Sequence, residues 1–199
     1  PLQARRRQRR CRVFAPRYVR CERSTPSRAD TCGAATSHHA PPSAVVRACV
    51  DVEPRIAGKP FRPLLDETVL RIGAERPIFV GDRTDTDILG ANNVGMDSMF
   101  VFTGAHGKAD LAVAPPDYRP TYIGFDAAAL LEPPREAEVH GERFVCGYQE
   151  VDMTDGFAYL GTRPITRDEQ LDALWAALQA KWRFDVDIDA VLNSLDTLR

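Results

Sequence analysis

Three aspartates, Asp82, Asp85 and Asp87, lie within six residues of one another. They follow the apolar run Ile-Phe-Val-Gly at 78–81. Carboxylates held this close together repel each other unless a cation lies among them. Carboxylate oxygens suit Mg²⁺, which usually keeps several waters and bridges to a substrate phosphate. The cluster therefore suggests a magnesium site beside a phosphate, with an acidic, solvated loop that caps a helix as the alternative.

A single lysine upstream could complete such a site. Lys59 lies between Gly58 and Pro60, about twenty residues before the acidic cluster. An ammonium group is a compact point charge, well suited to holding a phosphate oxygen. We therefore expect Lys59 to reach the same region as the aspartates.

The elements needed to position these residues can be predicted from hydrophobic periodicity. A helix is expected at 64–72, where Leu64, Leu65, Val69 and Ile72 share one face and Gly73 ends it. The predicted elements that follow are a buried strand at 77–81, a short helix ending at Gly95, a second strand at 98–102, a weak strand at 122–123 and a helix at 125–131.

A strand, a helix and a second strand joined by short loops form a βαβ unit, and hence a parallel sheet. In open parallel sheets, ligands bind at the carboxyl ends of the strands. Asp82 directly follows Gly81 and is expected at that edge.

Three motifs carry a resemblance to a known family. The segments AGKP at 57–60, FVGDRTDTDILGANNVGM at 79–96 and VFTG at 101–104 resemble the haloacid dehalogenase superfamily. They are most similar to its NagD-like branch, the class IIA phosphatases that include p-nitrophenylphosphatase-like and glycerol-phosphate phosphatases. The resemblance covers about residues 44–134. It implies an α/β fold with a Rossmann-like parallel sheet of that superfamily, here in truncated form.

The resemblance also assigns roles to individual residues. It implies that Lys59 is catalytic and binds the phosphoryl group of the substrate. It implies that Asp82 is a ligand of Mg²⁺ and that Asp87 supports both the metal site and catalysis. Arg83 and Asp85 lie inside the motif without an implied role. The expected activity is a magnesium-dependent phosphatase acting on a small phosphorylated metabolite, with glycerol phosphate as the candidate.

The sequence departs from the family pattern in one respect. The family's nucleophile and general acid–base belong to a D-x-D-G motif on a first strand, and no D-x-D-G occurs in the 199 residues. The chain thus resembles the C-terminal portion of such a phosphatase and is expected to be inactive alone. It is also expected to be marginally stable or to aggregate, because the strand at 78–80 would keep an exposed edge. The alternative is a non-catalytic interaction protein built on a relic half-fold with a basic N-terminal arm.

The first 43 residues differ from the rest in charge. They contain ten arginines and two acidic residues, a net charge of +8, whereas 44–199 contain 16 basic and 26 acidic residues, a net charge of −10. Three interpretations stay open for 1–43: a disordered leader, a basic arm for nucleic acid, or an artefact of out-of-frame translation. The last fits the Arg-, Pro-, Ala-, Ser- and Cys-rich composition, and nucleic acid is the least favoured.

A second module is expected at 135–199. Short strands are predicted in ERFVCGYQEVDM and GFAYLG, and a strand in FDVDI at 184–188. The main helix should begin at a capping box formed by Thr166 and Glu169. This small α+β module is similar in place to an acetyltransferase-like extension of some relatives, but it lacks a glycine-rich acetyl-CoA loop. A lid, or a homodimer or regulatory surface, is the more modest expectation.

Composition limits the remaining possibilities. No apolar run is long enough for a membrane span, so a membrane partner is not expected. No secretory signal is recognised, and the five cysteines show no CxxC spacing. We therefore expect a reducing, cytoplasmic setting. His106 and His140 are isolated in the sequence and are expected to be ordinary surface or loop residues.

Overall fold

The computed structural model describes residues 55–198. Their elements form a parallel three-stranded sheet and an antiparallel four-stranded sheet. In chain order the helices and strands are α1 (Arg62–Ile72), β1 (Ile78–Gly81), α2 (Leu89–Val94), β2 (Asp97–Val101), α3 (Lys108–Ala112), β3 (Tyr122–Gly124), β4 (Glu138–His140), β5 (Arg143–Cys146), β6 (Gln149–Thr154), β7 (Phe157–Leu160), α4 (Arg167–Phe184) and α5 (Asp189–Ser194).

The parallel sheet confirms the predicted βαβ unit. β1 pairs with β2, and β2 pairs with β3, all in parallel. The central strand β2 is the most buried of the three, and Phe100 has no exposed surface. Its continuous apolar run reflects burial on both faces, as in other parallel sheets. The helices α1 and α2 end at Gly73 and Gly95, as the pattern predicted.

The antiparallel sheet carries one long helix on its inner face. The strands follow the order β4-β5-β6-β7, and α4 packs against β5 and β6. The predicted capping box is present at the start of α4. Thr166 Oγ1 accepts a hydrogen bond from Glu169 N (3.2 Å), and Glu169 Oε2 accepts one from Thr166 N (2.8 Å). These contacts satisfy backbone donors that the first turn leaves free.

One hydrophobic cluster spans both sheets. Phe100, Leu111 and Ile123 from the parallel part belong to the same buried cluster as Phe144 and Leu174 from the antiparallel part. Trp182 strengthens this junction, because its Nε1 atom donates a hydrogen bond to Leu111 O (3.3 Å). The two parts therefore share a core, and the domain boundary between 134 and 135 stays a prediction.

Two sequence predictions need correction. The strand predicted at 184–188 is wrong: Phe184 is the last residue of α4, and Asp185 adopts a left-handed conformation with φ of 53°. Only an isolated bridge between Asp187 and Phe157 remains of the expected pairing. The helix predicted at 125–131 is a shorter 3₁₀ segment, Ala127–Leu131, whose first turn is capped by the Asp126 side chain. Both segments are short, and short apolar runs are ambiguous between types of secondary structure.

Several predictions lie outside the described residues. The nucleic-acid arm, the disordered leader and the out-of-frame interpretation all concern 1–43. Within residues 55–198, no helix has the length and apolar character needed to cross a bilayer.

Candidate functional site

The acidic cluster lies where β1 ends. Asp82 follows Gly81 directly, and a π-helical turn, Thr84–Ile88, then reverses the chain. Its wide hydrogen bond runs from Ile88 N to Arg83 O (3.1 Å). Turns of this kind are rare and occur frequently at functional sites. This turn folds Asp87 back over the strand: a Cβ atom at Gly81 would lie 2.4 Å from Asp87 Cβ, so only glycine fits there.

Lys59 and Asp87 form an ion pair at this edge. Lys59 Nζ lies 2.6 Å from Asp87 Oδ1, and Arg83 N donates to Asp87 Oδ2 at 3.2 Å. The Asp87 side chain is only 5% exposed, whereas that of Lys59 is 40% exposed. Asp87 thus has a partner for both oxygens, and Lys59 keeps part of its side chain open to solvent.

Asp82 is held by the loop that follows β2. Ala105 N donates to Asp82 Oδ2 (2.6 Å), and His106 N donates to the Asp82 backbone oxygen (3.2 Å). The approach requires glycine at 104, because a Cβ there would lie 1.7 Å from Asp82 Oδ2. From the described residues, Asp82 Oδ1 receives no hydrogen bond. One carboxylate oxygen is therefore fixed in place, and the other has no hydrogen-bond donor among the described residues.

Asp85 has its own counter-charge. The Arg83 guanidinium donates to it through two hydrogen bonds, Nε to Oδ1 (3.0 Å) and Nη2 to Oδ2 (2.7 Å). The hydrogen bond to Asp85 raises the pKa of Arg83. Burial opposes ionisation of Asp85, but Arg83 outweighs it and lowers the pKa of that carboxyl. The three aspartates are thus held apart by separate partners, so their proximity alone does not require a cation.

His106 is a site residue that sequence reasoning missed. It lies in a loop, as expected, but it is not isolated: its Nδ1 atom lies 3.1 Å from Thr84 N and 3.0 Å from Thr84 Oγ1. Its Nε2 atom lies 3.9 Å from Asp85 Oδ1. The two partners are 22 residues apart in the chain, and no local spacing pattern links them.

The donor set fits magnesium in part. Within residues 55–198, no group of three or more His, Cys, Asp or Glu side chains is placed to hold a metal ion. Mg²⁺ does not need such a group, since it is usually bound by one or two carboxylates together with waters and substrate phosphate. Asp82 has a carboxylate oxygen without a hydrogen bond from the described residues, and Asp87 lies on the π-helical turn that follows Asp82 in the chain. The residues present are therefore compatible with a magnesium ion that phosphate and water complete.

The segment that contains these residues resembles a known protein family. The HAD-hydrolase-like family model matches residues 56–130, which contain the ion pair, the acidic turn and the loop after β2. Residues 56–130 therefore resemble HAD-like hydrolases. By resemblance, this part of the chain is that of a hydrolase.

Three curated phosphatases are similar to part of this chain. A D-glycerol 3-phosphate phosphatase of Mycobacterium tuberculosis is 45% identical over 87 residues, which cover 44% of this chain and 25% of the relative. Phosphoglycolate phosphatase 2 of Arabidopsis thaliana is 35% identical over 88 residues, covering 41% and 29%. Dihydroxyacetone phosphatase of Corynebacterium glutamicum is 30% identical over 83 residues, covering 41% and 30%. The match thus spans less than a third of each relative.

The solved structures extend the likeness beyond the HAD-like segment. The glycerol phosphate phosphatase of Mycobacterium tuberculosis in complex with magnesium aligns with a TM-score of 0.59 at 29% identity, covering 77% of this chain and 47% of that one. Its calcium complex aligns with a TM-score of 0.54 at 28% identity. Residues 1–134 make up 67% of the chain (134 of 199), so an alignment that covers 77% must include part of 135–199.

The structure brings together all three residues that the sequence selected. Lys59, Asp82 and Asp87 lie at the carboxyl end of β1, and Lys59 contacts Asp87 directly. Their catalytic, substrate-binding and metal roles stay predictions.

Proposed function

We propose that this chain carries the lysine and magnesium part of a phosphatase site for small phosphate monoesters, with glycerol phosphate as the first candidate substrate. The observation that carries the proposal is the contact of 2.6 Å between Lys59 Nζ and Asp87 Oδ1, which brings the upstream lysine to the acidic end of β1. The likeness to three phosphatases of small phosphorylated metabolites supports it.

Each residue has a distinct role in this proposal. Lys59 binds the phosphoryl oxygens, because its side chain is partly exposed and its ammonium group is positioned by Asp87. Asp82 binds Mg²⁺ through its free carboxylate oxygen. Asp87 supports the metal and orients Lys59. When bound, the metal supplies charge stabilisation at the phosphoryl oxygens. Preorganised positive charge of this kind typically accounts for a large part of catalysis.

We further propose that the chain does not turn over substrate by itself. A phosphoenzyme mechanism needs a carboxylate nucleophile, and the D-x-D-G motif that supplies it in the family is absent from the sequence. The described residues contribute the electrostatic half of the site.

A chimeric enzyme can test whether this chain supplies the lysine and magnesium part of the site and lacks only the nucleophile. The 87 residues of the M. tuberculosis phosphatase that match this chain would be replaced by this chain's own segment. We expect magnesium-dependent phosphate release from glycerol 3-phosphate, and its loss on addition of EDTA. Lys59→Ala and Asp82→Asn in the chimera should each lower kcat/KM by about 10²–10³-fold.

Two outcomes would contradict the proposal. A folded chimera that hydrolyses glycerol 3-phosphate equally well with Lys59→Ala would remove the role of Lys59. Phosphate release by the isolated chain above the background of its Asp82→Asn variant would remove the claim that it is inactive alone. Phosphoglycolate and dihydroxyacetone phosphate, tested in parallel, would rank the substrates.

The difference in net charge between residues 1–43 and 44–199 favours a second candidate, a non-catalytic interaction protein. Residues 1–43 carry ten arginines and lie outside the described residues. If this arm binds nucleic acid, affinity for a DNA duplex should fall steeply with salt and vanish when 1–43 are deleted. DNA binding that persists without 1–43 would exclude the arm as its cause.

A further inference from the structure

Two loops are in contact at the carboxyl edge of the parallel sheet. One is the segment 82–84 after β1, and the other is the segment 104–106 after β2. Four polar contacts link them: Ala105 N and His106 N donate to Asp82, and Thr84 N and Thr84 Oγ1 both lie within hydrogen-bond distance of His106 Nδ1. Among these contacts, the imidazole of His106 is the only side chain that the second loop contributes.

The chemistry of this contact fixes the tautomer of His106. Thr84 N is a backbone amide and can only donate, so Nδ1, at 3.1 Å, must be the acceptor. A neutral ring with an acceptor at Nδ1 carries its proton at Nε2. His106 Nε2 lies 3.9 Å from Asp85 Oδ1. The ring is thus held from one side by Thr84 and faces a carboxylate on the other.

The consequence for Asp82 follows from chain geometry. The amides that hold Asp82 belong to Ala105 and to His106 itself, so the ring anchors the same two residues that fix the carboxylate. Thr84 is only 6% exposed and offers a rigid anchor. Second-sphere partners of this kind orient a metal ligand and commonly change metal affinity by 10–100-fold when they are removed.

We propose that His106, as the neutral Nε2–H tautomer bonded to Thr84, is a positioning residue that holds the loop 104–106 against Asp82 and so presents the free Asp82 oxygen to a divalent cation. This inference rests on the proposed function, because it assigns a role to the same metal site.

Two substitutions separate this role from a general loss of packing. In His106→Asn, the side-chain oxygen takes the position of Nδ1 and can still accept from Thr84 N. In His106→Gln, the amide takes the position of Nε2 and leaves Thr84 N without its acceptor. His140→Gln, at a side chain that is 61% exposed on β4, is the matched control.

The experiment uses the full chain with Mn²⁺ as the probe, read by electron paramagnetic resonance, and urea midpoints to confirm folding. We expect His106→Asn and His140→Gln to bind Mn²⁺ within about twofold of the wild type, and His106→Gln to bind about tenfold more weakly. Two-bond ¹H–¹⁵N spectra of the metal-free chain should show an unprotonated Nδ1 at His106, a signature that does not depend on metal.

Each contrary result has a defined meaning. A protonated Nδ1 in the neutral ring, or equal Mn²⁺ affinity in the wild type and His106→Gln, would overturn the positioning role while leaving the proposed function intact. Equal weakening in His106→Asn and His106→Gln would overturn it as well, since the acceptor would not matter. A folded wild-type chain that binds no Mn²⁺ would overturn both the metal part of the proposed function and the role of His106.

Discussion

Lys59 Nζ and Asp87 Oδ1 lie 2.6 Å apart although 28 residues separate them in the sequence. Asp87 is nearly buried, and its second oxygen accepts from Arg83 N. The pair joins the loop before α1 to the turn after β1. A buried carboxylate that loses its cation becomes costly, so this contact both stabilises the fold and fixes a positive charge beside the acidic cluster.

A double-mutant cycle with Lys59→Met and Asp87→Asn should reveal this coupling. We expect an interaction free energy of about 1–2 kcal/mol in urea unfolding, because a charged hydrogen bond to a nearly buried group is broken. The control is the exposed pair of Arg71 and Glu67, whose side chains are 78% and 55% exposed. That pair should couple by less than about 0.5 kcal/mol. Similar values for both pairs would contradict the structural role of Lys59.

Gly104→Ala tests the close approach at Asp82. The added methyl group would lie 1.7 Å from Asp82 Oδ2, so either the loop or the carboxylate must move. We expect a loss of about 1–3 kcal/mol in unfolding free energy, together with weaker Mn²⁺ binding. Gly161→Ala is the control, because its Cβ would meet Glu150 Cβ at an ordinary 3.5 Å. Unchanged stability and metal affinity in Gly104→Ala would show that the approach has no importance.

The capping box of α4 should give stability a dependence on pH. Amide groups of Thr166 and Ile165 hydrogen-bond to the Glu169 carboxylate and lower its pKa in the folded state. A lowered pKa contributes stability that is present above the unfolded value of about 4.3 and is lost as the pH falls through the folded value. The difference in Tm between wild type and Glu169→Gln should therefore be largest near neutral pH and shrink in acid. Glu75→Gln, at an exposed position outside this helix, is the control for removing one carboxylate.

The exposed edge of β1 leads us to expect that the protein self-associates. In the described sheet β1 pairs only with β2, and Ile78 at its start is 36% exposed. Unpaired strand edges promote association with other chains, and charged residues suppress it. Light scattering should rise with protein concentration, and Ile78→Lys should reduce it. Ile165→Lys, at an 83% exposed position before α4, is the control for added charge. A sharp, cooperative melt that does not change with concentration would contradict the expected marginal stability.

The elements closest to the site could be predicted because their signals are local. The alternation of a continuous apolar run, a glycine-terminated helix and a second apolar run is sufficient for the βαβ unit. Thr166 and Glu169 predict their own hydrogen bonds because they are three residues apart on one helical turn. The strand expected at 184–188 was wrong. The helix α4 continues through Phe184, and Asp185, in a left-handed conformation, ends the helix.

The sequence by itself determined which residues gather at the end of β1, since a strand followed by Asp82 and a short turn places Asp87 beside it. Only the tertiary structure determined which residues form hydrogen bonds to them. The partners of Asp82 and Thr84 come from the loop at 104–106, 22 or more residues away. Such contacts depend on how β1 and β2 pair in space, and hydrogen-bond partners brought together by strand pairing leave no periodic trace in the chain.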